Sequence, residues 1–277
     1  MGALNGIAGA VNGVNTVRTW DIATSADIQK LIASNTKGGP ARLIGNEDWR
    51  GSYKAYGHTP ILLPGYAGAF LGSFDGANGV SGDIVVDRAT INIPIEAGGP
   101  IEHTVDFSGN GALDFGAAVV EDETDPEIYT SIGCKVMLGT VANPAVWTKE
   151  VDNVRAVSLV LNADNVKYVS SGTGGKTKRL PGNIDASLSI SVYEGDPTEI
   201  IVPNTLWGVR LYVNATEYWE LLWALFSEAS GVEVDRESAA MIGATLNAAF
   251  NGYTKIQTVE TEGHILDPAS EAWWPTA

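Results

Sequence analysis

The chain has 277 residues, 44% of them hydrophobic, enough for one large or two modest domains with a real core. A formal net charge of −16 and a pI near 4.5 argue against a protein that grips nucleic acid or docks on anionic membranes, since both need basic clusters. One cysteine, Cys134, excludes an intramolecular disulfide and reads as a free core or strand cysteine, and no apolar run reaches the ~18 residues of a membrane-spanning helix.

The first stretch, MGALNGIAGAVNGVN, lacks the basic start and apolar centre of a signal peptide, and Gly6 replaces the Ser or Thr of a myristoylation signal, so cytosolic synthesis is expected. Residues 1–16 form an arm without a core pattern, expected to order on a neighbouring subunit or stay disordered. Val17–Ile22 alternates as a strand does. Ser25 is a natural N-cap and Asp27 suits a first turn, which predicts a short helix over residues 25–33. A Gly-rich loop and a strand around Ser52–Tyr56 follow. GSFDGANGVSG, residues 72–82, lacks dinucleotide-binding spacing and reads as a turn. DIVVDRATINIPIE and GPIEHTVDF are strand-like by alternation and β-branching. The acidic run Glu121, Asp122, Glu123, Asp125 and Glu127 lacks the twelve-residue Ca²⁺ loop pattern and reads as a solvated loop. A second helix is predicted from Asn162 to Val169 and a strand over Ser187–Tyr193. Thr216–Glu228 fits either a capped helix or a strand pair. Its position in the repeat described next favours strand. Trp207, Trp219 and Trp223 read as core, and the terminal Trp273 and Trp274 as interface anchors.

The chain contains itself twice. Residues 17–60 and 154–197 align without a gap at an offset of 137, with sixteen identities in 44 positions. Chance at average composition gives about three. The shared signature includes Gly38/Gly175, Arg42/Arg179, Gly45/Gly182, Asn46/Asn183 and Asp48/Asp185. It reads as a structural turn, with Gly45 and Gly182 expected at positive φ beside Asn46 and Asn183. The boundaries that follow are an arm at 1–16, a first domain at 17–128, a linker or extra strand at 129–153 and a second domain at 154–277.

The repeat also bears on SSGTGGKTKR, residues 170–179. Gly175-Lys176-Thr177 resembles the end of a phosphate-binding loop, but Ser170 stands where the first Gly is needed and Leu180-Pro181-Gly182 leaves no room for the required helix. The first copy carries Gly39-Pro40 opposite Lys176-Thr177, so the two copies share no such loop. His58, His103 and His264 are scattered without ligand spacing, and no Gly-x-Ser-x-Gly elbow occurs. Asn214-Ala215-Thr216 is a sequon that a cytosolic product would not use. No catalytic constellation, metal site or cofactor site is expected; a carbohydrate- or receptor-binding β module, with Trp side chains that stack on sugars, is the alternative class, and a hydrolase with a cryptic site is a third that the missing triad and metal cluster disfavour.

SNTKGGPARLIGNEDWRGSYKAYGHTP, with PGYAGAFLGSFDG and IPIEAGGPIEHTVDFSGNGAL, resembles the major tail tube proteins of long-tailed phages with non-contractile tails. The resemblance covers most of the first half. It implies a mainly β fold, with two tandem tube-like β-barrel or sandwich domains in this chain, each with one short helix. It also implies a structural virion protein, made in the bacterial host's cytoplasm, whose rings stack into the tail tube. Implied partners are further copies of itself, the tape measure protein and other tail proteins, with double-stranded DNA passing through unbound and no membrane contact. Some relatives carry two tube domains per chain and close as trimers. An acidic lumen would repel the DNA phosphates, and Asp83, Asp87, Glu233 and Asp235 are the candidate lining residues. The second copy departs from the family segment, with Ala186 in the place of Trp49.

Overall fold

The computed structural model describes residues 11–12, 16–32, 40–60, 62–75, 78–116, 128–140, 147–193, 205–214, 217–233, 243–250, 256–260 and 264–265. Within them the fold is mainly β. In the first half the strands are β1 (Val17–Leu31), β2 (Ala41–Tyr56), β3 (Ala67–Ser73), β4 (Gly79–Ile93) and β5 (Glu102–Phe115). The short β6 (Lys135–Thr140) and β7 (Trp147–Glu150) come next. The second half comprises β8 (Val154–Ala163), β9 (Val166–Tyr168), β10 (Lys178–Leu180), β11 (Ile184–Tyr193), β12 (Trp207–Tyr212), β13 (Tyr218–Glu233), β14 (Gly243–Phe250), β15 (Ile256–Glu260) and β16 (His264–Ile265). Fourteen of these strands join one antiparallel sheet whose main path runs β1-β2-β5-β4-β8-β11-β14-β13-β12-β6-β7; β9 and β10 pair separately.

The repeat in sequence is a repeat in hydrogen bonding. The first half is ordered β1-β2-β5-β4-β3 and the second β8-β11-β14-β13-β12. Val17 faces Ala55 and Trp20 faces Tyr53; Val154 faces Val192 and Val157 faces Ile190, the same pairs moved by 137. The β1–β2 pairs Gln29–Leu43, Lys30–Arg42 and Leu31–Ala41 recur as Val166–Leu180, Lys167–Arg179 and Tyr168–Lys178. A bulge also recurs. Pairing of β4 with β5 skips Asp87, and pairing of β13 with β14 skips Ser227, each just after an apolar residue, Val86 or Phe226.

The halves are not separate along the sheet. β4 pairs with β8 from Arg88–Asn162 to Ile93–Val157. Ile91, Ile93 and Ile101 of the first half share a core with Leu159, Leu161, Leu188, Ile190 and Trp219 of the second. A smaller core beneath the first half gathers Trp49, Tyr53, Phe70, Val105 and Phe107. Strict alternation along β5 and β11 sends one set of side chains into these cores and leaves the other set outside. β13 meets β12 along residues 218–224 and β14 along 224–233. On the side where β4 receives β8, the matching end of β13, from Glu228 onward, has no partner strand among the described residues.

Several expectations are corrected. Residues 25–31 are not helical; they continue β1 and pair with β2 as far as Leu31–Ala41. Residues 162–168 are likewise the end of β8, a turn and β9. In both places cross-strand pairing outweighs the local capping signal of Ser25 or Asn162. Gly45 and Gly182 do not have positive φ; the left-handed positions in this loop are Gly174 at 58° and Gly175 at 78°. Gly45 and Gly182 instead permit close approach: a Cβ at Gly182 would overlap the Asp164 carbonyl, and one at Gly45 would lie 3.3 Å from Asp27.

The asparagines beside these glycines do not form the expected matching turns either. Asn46 lies inside β2 with its side chain exposed. Asn183 is exposed in the short link between β10 and β11, and neither residue has positive φ. What holds Asn183 is its backbone: its carbonyl accepts the Asp164 N–H at 2.9 Å, so the link stays extended beside the end of β8 rather than reversing. The shared Gly-Asn is thus strand in the first half and a strand-to-strand link in the second.

Thr216–Glu228 is resolved in favour of a strand, β13, which begins at Tyr218. Segment 129–153 contributes β6, a strand that pairs with β12 and so belongs to the second half's sheet. Of the N-terminal arm, Val11 is buried in the first-half core and the Asn12 side chain accepts the Leu71 N–H at 2.7 Å.

Candidate functional surface: a polar ladder and a clasp

The outward side of the sheet carries Ser, Thr, Asn and Asp in rows that cross both halves. One row runs Asp21, Ser52, Asp106, Arg88, Asn162 and Asp185, each paired with the next across neighbouring strands. Another runs Glu102, Asn92, Ser158, Ser189 and Asn247. Directly paired residues share a face, so these rows form one continuous polar surface opposite the core. The Ser52 hydroxyl donates to Asp21 at 2.5 Å, and the Ser158 hydroxyl bridges the halves to Asn92 at 3.0 Å.

Of the acidic residues singled out in the sequence, Asp87 lies on this surface. Its two carboxylate oxygens accept from Ser108 at 2.5 Å and from the Asn165 amide at 2.7 Å. Burial pushes the Asp106 carboxyl above the usual range; Arg88 opposes that rise, and Asp87 and Asp21 add to it. Asp83 is exposed at the β3-paired end of β4, opposite Ala69. Glu233 ends β13, and Asp235, Trp273, Trp274, Gly38 and the acidic run at 121–127 lie outside the described residues. The sequence pattern did not single out Asp21 and Asp106. The alternation Thr104, Asp106, Ser108, Asn110 was the available signal.

The second feature is a clasp between the halves. The loop between β9 and β10 makes one tight turn at Ser171–Thr173 and is followed by a strand rather than a helix. Its backbone lies along β2: the Glu47 N–H donates to the Gly175 carbonyl at 2.8 Å and the Thr177 N–H to the Glu47 carbonyl at 3.0 Å. Lys176 pairs with the Glu47 carboxylate. Arg179 grips Asp48 with both terminal nitrogens, at 2.9 and 2.8 Å, and Lys167 adds a third contact at 2.8 Å. The Arg179 guanidinium also donates to the Gly109 carbonyl, and its backbone N–H to the Asn110 side chain at 2.8 Å. Burial would raise the Asp48 carboxyl, but hydrogen bonds from Arg179 and Lys167 outweigh it and hold the group below the usual carboxylate range. The GKT stretch is thus engaged with β2 through both its backbone and its lysine.

Beneath the clasp, the Trp49 indole N–H donates to the Gly111 carbonyl at 3.0 Å, and a Cβ at Gly109 would overlap the ring. An open cleft of about 400 Å³ lies beside it, lined by Thr24, Ile44, Trp49, Phe115 and Lys176. No protein-family model and no curated protein matches the chain. Its surface chemistry therefore stands on the residues themselves. Among the described residues no three His, Cys, Asp or Glu side chains are grouped to hold a metal ion. His103 is buried with Nδ1 3.0 Å from the Gly57 carbonyl, and burial lowers its pKa. Cys134 is buried and free, its Sγ 3.3 Å from the Val213 carbonyl, and burial pushes the thiol up to about 11. Trp219 is buried, donating to the His58 carbonyl at 3.1 Å, and Trp207 packs partly buried against the same core; the Trp223 side chain lies outside the described residues.

Proposed function

We propose that the chain is a structural subunit that closes with further copies into a ring, and that such rings stack into the tail tube of a long-tailed, non-contractile phage. Each chain supplies two tube-like units, so three chains give a six-unit ring with true three-fold and approximate six-fold symmetry. The observation that carries this reading is the β4–β8 ladder. It joins a unit to the next one in the chain edge to edge, and the matching edges, β1 at one end and β13 from Glu228 at the other, are open among the described residues. A heterologous contact of this kind generates a ring when its rotation closes. Transferring the Arg88–Asn162 register gives Glu228 of one chain opposite Ser25 of the next.

The polar ladder fits a conducting surface. Its side chains are mostly short hydroxyls, amides and carboxylates; Arg88 lies in the row beside Asp106, and Arg50 and Lys54 flank Ser52 on the same face, so repulsion of DNA phosphates falls to Asp21, Asp87 and Asp106. No step of catalysis is invoked. The test is cross-sectional imaging of assembled protein with no symmetry imposed. Three chains around a central bore are expected; six whole chains per ring, or a chain that stays monomeric under all assembly conditions, overturns the reading.

A further inference from the structure

The clasp inside the chain has a second, unfilled counterpart. Lys167 and Arg179 face each other across β9–β10 and both reach Asp48. In the first half Lys30 and Arg42 face each other across β1–β2 in the same register. The position equivalent to Asp48 is Asp185, and its local geometry is the same: Asp48 Oδ1 accepts the Trp49 N–H at 2.9 Å, and Asp185 Oδ1 accepts the Ala186 N–H at 2.9 Å. Lys30, Arg42 and Asp185 are all exposed, and none of them takes part in an ion pair among the described residues. The arm that carries Lys30 and Arg42 also exposes Ile28 at 67% and Ile44 at 76%, which face each other across β1–β2 on the same face as the two cations. Contiguous apolar exposure of this kind marks a surface that another molecule covers.

The two sides of this counterpart have changed together. The clasp's other ion pair, Lys176 with Glu47, has Gly39 and Ile184 at the equivalent positions, so its charge is missing from both sides. The pair that is kept, Lys and Arg against Asp, is kept on both sides. Matched retention and matched loss point to a second copy of this chain as the occupant.

We propose that Lys30 and Arg42 on the β1–β2 arm of one copy clasp Asp185 of the next, reproducing between chains the contact that Lys167 and Arg179 make with Asp48 within one. The proposal rests on the ring reading, because the arm reaches a neighbour's β11 only if β1 lies along that neighbour's β13.

Sedimentation velocity on the full chain tests it. Asp185→Lys, and separately Lys30→Glu with Arg42→Glu, should each weaken self-association at least tenfold, while circular dichroism and the unfolding midpoint stay unchanged. Combining all three substitutions should restore most of the association. If the wild-type chain assembles and both charge-reversed variants assemble as well as it does, the clasp is overturned and the ring stands. Loss in both variants without recovery in the combination also overturns it, since the residues would not meet. A wild-type chain that never associates overturns the clasp and the ring together.

Discussion

The two arms of the molecule begin from one pattern and end differently. In the first half β1 and β2 form a single long hairpin from Val17–Ala55 to Leu31–Ala41, its register shifting between Val17 and Thr19 and again between Ala26 and Ile28. In the second half the same register is broken between Ala163 and Val166 on one side and between Leu180 and Ile184 on the other, so that β9 and β10 pair as a separate ribbon. The cause is local. Ile28 pairs with Ile44 in the first half, whereas Pro181, at the position of Ile44, has no N–H to donate. Asn165, at the position of Ile28, turns its amide to the Val86 carbonyl and to Asp87 instead. One proline and one asparagine release the ribbon from the sheet, and the loop it carries lies on β2. The first arm keeps its ladder and presents its cations and isoleucines outward.

The comparison can be broken most severely at Trp49. It fills the first-half core under Gly109, where the second half manages with Ala186. Trp49→Ala should cost about 3–5 kcal/mol in chemical denaturation, because a buried ring and its bond to Gly111 are lost together. A loss below about 1 kcal/mol would mean that the first-half core collapses as readily as the second.

The paired glycines sharpen the contrast further. Gly182→Ala should destabilise by about 1–3 kcal/mol, since the new methyl meets the Asp164 carbonyl. Gly45→Ala, with 3.3 Å to Asp27 and an ordinary φ, should change stability by less than about 0.5 kcal/mol. Equal effects in parallel thermal melts would show that the break in the second arm does not tighten its turn.

The paired arginines test the clasp directly. Arg179→Ala should lose about 2 kcal/mol, because a half-buried Asp48 is left without its bidentate partner. Arg42→Ala should leave the isolated chain within about 0.5 kcal/mol of wild type. The acid dependence follows from the lowered Asp48 value. Its stabilisation is present above the ordinary carboxylate range and is lost as pH falls through the folded value. Asp48→Asn should therefore flatten the acid limb of a stability–pH curve, and a wild-type slope in that variant would remove the clasp from the account.

Much of the strand pattern is legible in the order of residues. Alternation in DIVVDRATINIPIE and GPIEHTVDF identifies β4 and β5, and the gapless repeat anticipates equivalent pairings in the two halves. The capping signals at Ser25 and Asn162 mislead, because a helix cap is a local preference while a ladder partner more than ten residues away supplies a hydrogen bond for each residue paired. Gly45 and Gly182 are recognisable as special, but for the wrong reason: positive φ and close approach both demand glycine, and composition cannot tell them apart. Asn46 and Asn183 mislead with them, since an Asn beside a Gly favours a turn only where no strand partner claims the backbone.

What the sequence determined by itself is the alternating strands such as β4, β5 and β11, the repeat with its shared Lys, Arg and Asp, and an acidic chain with one cysteine, since these depend on residue type and spacing alone. Only the tertiary structure decided that β4 pairs with β8, that the GKT loop lies on β2, and that Asp21, Asp87 and Asp106 converge on one polar face. These are contacts between segments tens of residues apart. Their energy comes from desolvation and hydrogen bonding between partners that no short stretch of chain can specify.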